Sequence, residues 1–340
     1  MATLRSDIII PEIFTPYLIE QTTLRDAFLA SGVVQPMAEL NATEGGDFIN
    51  VPFFTANLTG DFEVLTDSSS LTPGKITADK QVGVILHRGR AFESRDLAAL
   101  AAGADPMAAI GAKVADYVAN QRQKDLLSCL GGIFGSLAAN VGASFAGLSI
   151  DGLSGDTRTA LSPRHVAEAR SILGDQGDKL AAVCMHSKVY YDLVERKAID
   201  YVTAVEARQT ALGTAEDAFS GSIAAAYTGN NSVPTYMGLR VIVSDDVQTD
   251  NTNYATYFFT QGAVASGEQL AMQTETDRDI LAKSDAMSID LHYCYHPVGA
   301  KWASTTVNPT RAVLETITNW TKVYETKNIG IIRATNLSNF

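Results

Sequence analysis

The sequence predicts an α+β fold, and three observations carry that reading. Apolar residues recur at helical spacing through residues 106–134. Val-, Ile- and Phe-rich runs of strand length precede that stretch and return near the end of the chain. Between residues 162 and 290, helical and strand-like patterns alternate. With 340 residues, 46% hydrophobic and 19% charged, the chain is large enough to bury a core without disulfide staples.

Residues 1–45 read as an arm. Leu18, Leu24, Phe28 and Leu29 fall at roughly helical spacing, with Gly32 as a stop, and "NATEGGD" then breaks the pattern. Residues 46–92 read as a long two-stranded hairpin. Its strands are "DFINVPFF" and "KQVGVILHRGRAF", joined through turn-forming "TANLTGDFEVLTDSSSLTPGKITAD". Such a hairpin buries little of itself and needs something to lie against. Asp105-Pro106 then opens a spine helix, with Ile110, Val114, Tyr117, Val118, Leu127, Leu130 and Phe134 on its stripe. From 106 to 130 it rises ~37 Å at 1.5 Å per residue.

Residues 135–161 are small and Gly-rich, which marks a hinge. Ser162-Pro163 caps the next helix, "KLAAVCM" is a buried strand, and Ser187 is placed as the N-cap of the helix after it. Residues 205–235 read as a large loop. "MGLRVIVSDDV" and "NYATYFFTQGAVASG" each read as a strand. Residues 291–340 return to β character in "SIDLHYCYHPVGAKW", "NWTKVYE" and "NIGIIRATN".

The net charge of −12 argues against a surface that grips nucleic acid through phosphates, but not against a wall that encloses it. Cys129, Cys184 and Cys294 are odd in number and widely spaced, so a reducing compartment is expected. The N-terminal run is too short and interrupted for a signal peptide, and no run reaches the ~18 apolar residues of a membrane span. A chain made in the cytoplasm and free of the membrane is the expectation. P-loop, G-x-S-x-G, H-E-x-x-H and G-x-G-x-x-G motifs are all missing.

One stretch invites a metal reading. His292, Cys294 and His296 share a strand face in "HYCYH", with Tyr293 and Tyr295 on the other. Successive same-face residues lie ~6.6 Å apart and diverge, and nothing nearby supplies a second ligand group. Packed side chains, with no metal and no cofactor, are therefore expected, and a metal-dependent enzyme is the lesser alternative. An isopeptide link from Lys75 or Lys80 to Asn308 is the other chemistry the residue types permit; ordinary surface roles are expected there too.

The order of arm, long hairpin, spine helix, α+β domain and β return resembles the major capsid proteins of tailed bacteriophages, the Hong Kong 97-type fold. "AVCMHSKVYYDLVERKAID" resembles the strand and helix of that family's axial domain, and "DFINVPFFTANLTGDFEVLTD" its extended loop. "HPVGAKW", "NPT" and "NWTKVYETKNIGIIRATN", in that order, are similar to the C-terminal segment of the gp-thirteen-like coat proteins. The resemblance implies an N-terminal arm at 1–45, an extended loop at 46–92, a peripheral domain at 93–150 plus 291–340, and an axial domain at 151–290. It implies a non-enzymatic subunit that forms hexamers and pentamers of an icosahedral head around double-stranded DNA, assembled in the host cytoplasm and ending in the virion. Phe62, Val64, Leu65, Lys75, Lys80, Arg88, Arg90 and Asn308 are the residues expected at subunit contacts. Because the arm begins at Met1, a separate scaffolding protein is expected, with a portal and a cement protein as further partners. An encapsulin-like, cargo-enclosing shell is the neighbouring alternative.

Overall fold

The computed structural model describes residues 27–41, 45–54, 62, 78–96, 106–135, 137, 145–150, 159–202, 233–250 and 252–338. Two sheets and one long helix organise them. A four-stranded sheet has the order β1 (Val34–Pro36), β11 (Val264–Asp279), β12 (Ser284–Pro297), β4 (Leu86–Arg95). A seven-stranded sheet has the order β5 (Ser149–Ile150), β15 (Ile331–Leu337), β10 (Asn253–Thr260), β6 (Leu180–Met185), β9 (Leu239–Val243), β8 (Val233–Tyr236), β7 (Asp200–Val202). Two small ribbons pair β2 (Phe48–Phe54) with β3 (Ala78–Val84) and β13 (Ala300–Trp302) with β14 (Trp320–Lys322).

The spine helix runs from Pro106 to Phe134, as its periodicity predicts. It is apolar enough to pack yet not to cross a membrane; no helix among the described residues meets both the length and hydropathy that needs. Its two halves serve different sheets. Val114, Ala115 and Val118 pack with Met272, Met287 and Ile289 of β11 and β12. Leu126, Leu127, Leu130, Ile133 and Phe134 join the larger core with the seven-stranded sheet. The helix ends at Gly135, whose φ of +73° is the left-handed conformation glycine adopts without penalty. Arg333 of β15, itself buried, donates from Nη1 to the Gly135 carbonyl at 2.8 Å, placing a cation at the negative end of the helix dipole.

The central strands read as uninterrupted apolar runs because both of their faces are covered. Along β10, Tyr254 to Phe259 are all buried, and β15 and β6 flank the strand antiparallel on either side. The helix Pro163–Leu173 buries His165, Val166, Ala169 and Leu173. His165 Nδ1 reaches back to the Ser162 backbone N–H at 3.2 Å, so Ser162 caps as expected. At the next helix the N-cap is His186 rather than Ser187. The His186 ring Nδ1 accepts the Lys188 N–H at 3.2 Å, a role its sequence signal conceals.

Two expected strands each divide between sheets. "KQVGVILHRGRAF" breaks at Ile85, a buried residue packed with Leu40, Ile49, Val51, Ala265 and Cys294. Residues before it pair with β2 and residues after it pair with β12. "NYATYFFTQGAVASG" breaks at Gln261-Gly262, where Gly262 takes a φ of +67°. Its first half lies in the seven-stranded sheet and its second in the four-stranded one. β12 runs unbroken across residue 290, and β15 sits inside the seven-stranded sheet, so 291–340 contributes to both sheets. Of the expected hinge, Ser149–Ile150 is held parallel to β15. Residues 138–144 and 151–158, the 205–232 part of the expected loop, and the arm before residue 27 lie outside the described residues.

A very tight approach joins the spine helix to the C-terminal segment. A Cβ placed on Gly132 would overlap the Leu314 carbonyl oxygen and the Trp320 indole. That oxygen already accepts the Trp320 Nε1–H at 2.8 Å, so it has no room to retreat. Gly132→Ala gains about 1 kcal/mol of helix propensity. Overpacking against backbone costs more, and a net loss of about 2 kcal/mol is expected in a urea unfolding titration.

Candidate assembly interface

Strand β4 and the C-terminal segment are anchored to the spine helix through one buried carboxylate. Asp125 is fully buried. Its Oδ2 accepts Arg88 Nε at 3.1 Å and the Tyr293 hydroxyl at 2.6 Å, and its Oδ1 accepts Arg311 Nε. Burial, and then the Asp125 charge, raise the Tyr293 phenol, which keeps it protonated and donating. Arg311 also bonds Gln121 Oε1 at 2.7 Å. Four chain segments, β4, the spine helix, β12 and the turn near residue 311, thus meet at one charge. A buried ion without partners would cost several kcal/mol, so the two guanidiniums are structural requirements here.

Arg88 and Asn308, both expected at subunit contacts, are hydrogen-bonded to each other within the chain. Arg88 Nη1 donates to Asn308 Oδ1 at 2.9 Å, and its Nη2 to the Pro309 carbonyl at 2.8 Å. The same Asn308 oxygen accepts the His87 N–H at 3.1 Å, and Asn308 sits at a φ of +45°. Their polar groups are joined within the chain, while Asn308 stays exposed and Arg88 half-buried. Lys80 and Arg90 are exposed on β3 and β4, and Phe62 is fully exposed. Val64, Leu65 and Lys75 lie outside the described residues.

Sequence reading missed a further projection. β11 and β12 form a long antiparallel hairpin whose tip exposes Ile280 (80%) and Leu281 (96%). Asp279 Oδ1 accepts the Leu281 and Ala282 N–H groups at 2.8 and 3.1 Å, which shapes the turn. Arg278 bridges Asp96 and Asp285, each at 2.7 Å, just below it. Such exposed pairs add little stability but do define geometry. The available signal was an apolar pair set among charges in "DRDILAK".

The "HYCYH" strand is buried on both faces. Tyr293 and Tyr295 face the spine helix, where the Tyr295 hydroxyl accepts Arg122 Nε at 2.9 Å. On the opposite face the three candidate ligands go to different neighbours. The His292 ring lies edge-on to His87, 4.2 Å between centroids. Cys294 packs in the small core around Ile85 and Leu40. His296 Nε2 donates to Gln81 Oε1 at 2.9 Å. Gln81 in turn accepts the Gly299 N–H at 3.1 Å. Among the described residues, no three His, Cys, Asp or Glu side chains converge as metal ligands. Burial pushes the Cys294 thiol up to about 12 and brings His296 down to about 4.

This geometry makes two outcomes measurable. Asp125→Ala strands two guanidiniums, and a loss of about 3–5 kcal/mol in urea unfolding is expected. The unfolded chain binds a proton at His296 near pH 6.5, which the folded chain refuses until about pH 4. Stability is therefore complete above pH 6.5 and falls as pH drops from 6.5 to 4, by ~3 kcal/mol from this group. His296→Asn keeps a donor for Gln81 and should flatten the urea midpoint across that window.

The comparisons with known proteins agree with this architecture. A family model described as "Gp13-like: Major capsid protein 13-like" matches residues 37–330. The major capsid protein of Bacillus phage SPP1 is 33% identical across 96% of each chain. Among solved structures, the capsid of Ralstonia phage GP4 superposes with a TM-score of 0.58 at 10% identity, covering 91% of this chain and 88% of that one. The cyanophage Pam1 capsid asymmetric unit does so with a TM-score of 0.52 at 14% identity, covering 90% and 88%. The likeness to those structures shows an α+β capsid fold, and the match over residues 37–330 shows that this chain belongs to the Gp13-like family of phage major capsid proteins.

Proposed function

We propose that the chain is the major structural subunit of a tailed-phage head, without a catalytic role of its own. The observation that carries this reading is the 33% identity to a phage major capsid protein over 96% of both chains. The fold supports it physically. Ile280, Leu281, Phe54 and Phe62 project exposed apolar surface from narrow hairpins or loops, away from the chain's own core. In an obligate assembly such surface meets neighbouring copies.

In this proposal the seven-stranded sheet and its helices form the axial unit at the capsomer centre. The four-stranded sheet and the N-terminal half of the spine helix form the peripheral unit. Copies assemble in the host cytoplasm as hexamers and pentamers on a separate scaffolding protein, with a portal and a cement protein completing the virion. The net charge of −12 lets the wall contain double-stranded DNA without holding it.

Negative-stain microscopy of the chain co-expressed with its scaffold should show capsomers and closed shells of capsid size. A chain that stays monomeric under those conditions overturns the proposal. Small uniform shells that close without a scaffold and carry an enzyme would assign the chain to the encapsulin-like alternative.

A further inference from the structure

Between the spine helix and the face of β4 and β12 lies a cavity of about 130 Å³, and four arginines line it: Arg88, Arg90, Arg122 and Arg311. Strand alternation brings two of them there. Arg88 sits opposite Leu291 and Arg90 opposite Ile289, on the face of the sheet that meets the helix. Asp125 is the only carboxylate among the lining residues, and Arg88 and Arg311 already neutralise it. Arg122 reaches Glu268, which is not a lining residue, at 3.4 Å. Four guanidiniums against these two carboxylates leave an excess of two positive charges, in a chain whose net charge is −12.

The hydrogen-bond donors are unevenly used. A guanidinium offers five N–H groups in a fixed fork. Arg88 directs its fork at Asp125, Asn308 and Pro309. Arg311 spends Nε on Asp125 and Nη2 on Gln121, and its Nη1 makes no hydrogen bond among the described residues. Arg90, exposed on β4, makes no side-chain hydrogen bond among them at all. Arg122 lies over the Tyr293 ring, 5.2 Å from guanidinium carbon to centroid, which fixes that cation in place. An engineered protein cavity of about 150 Å³ holds benzene, so this one takes a small polyatomic ion and not a nucleotide. We infer that the cavity binds one inorganic phosphate ion. Its oxygens accept from Arg90 and from Arg311 Nη1, the donors the fold leaves open, while Arg88 and Arg122 add charge. Guanidinium forks match phosphate oxygens in pairs, which favours this ion over chloride. The bound ion ties β4 to the segment at 311 beside the Asp125 carboxylate. The inference goes beyond the shell reading and does not rest on it.

A titration of the full-length, unassembled chain with inorganic phosphate tests it, at constant ionic strength held with sodium chloride. The phosphorus-31 resonance of the ion should broaden saturably with protein, and the urea midpoint should rise as phosphate is added. Sulfate, which has the same shape, should compete. Arg90→Gln should weaken binding at least tenfold, with circular dichroism checking that the fold is intact. Lys80→Gln removes an exposed cation on β3 that does not line the cavity, and it should leave binding unchanged. No saturable binding at millimolar phosphate, or equal binding by Arg90→Gln, overturns the inference. So does an equal loss in both variants, which would mean that general surface charge attracts the ion. A short DNA duplex should fail to displace the phosphate. Displacement that depends on Arg90 overturns the assignment to a free ion and gives the site to a backbone phosphate.

Discussion

A carboxylate removed from water must be matched charge for charge, and that constraint at Asp125 decides how the chain is put together. Two guanidiniums and a phenol converge on it from three segments outside the spine helix. Arg88 then extends the link to Asn308 and Pro309. Two of these segments lead to further elements: β12 to the tip at Ile280 and Leu281, and residues 308–311 to the C-terminal ribbon of β13 and β14. β4, β12, the spine helix and the segment at 308–311 are therefore referenced to one point. A shell that repeats a subunit many times needs such a reference, because angular error at each contact accumulates around a closed ring.

The same helix also solves a packing problem. Its first half covers one sheet with a stripe and its second half, buried on every side from Asp125 to Phe134, enters the larger core, so a single element serves two cores. β12 is covered by the spine helix on its tyrosine face and by the Ile85 core on the other. That double coverage explains why Tyr293 to Pro297 are all buried, and why histidine and cysteine there are satisfied packing groups.

Much of this was legible in the sequence. The spine helix appears whole, because a 3.6-residue stripe over many turns has no competing explanation. The Ser162 cap is legible because its Pro163 and the stripe after it agree with it. Strand membership was less legible. A continuous apolar run reports burial on both faces but not which sheet supplies the cover, so the breaks at Ile85 and at Gln261-Gly262 passed unseen. The anchoring of Arg88 was not legible because the carboxylate that recruits it lies 37 residues away in sequence.

The position of β15 has a consequence for timing. It lies between β5 and β10, whereas its neighbours in the sheet are made far earlier in synthesis. Until residue 337 has been added, β10 has an open edge and the buried carbonyl of Gly135 lacks Arg333. A chain that stops short of residue 331 leaves β5 without its partner and β10 unpaired on one side. Such a fragment presents an open strand edge at β10 that the complete sheet covers, and an open edge is a template for pairing with the wrong chain.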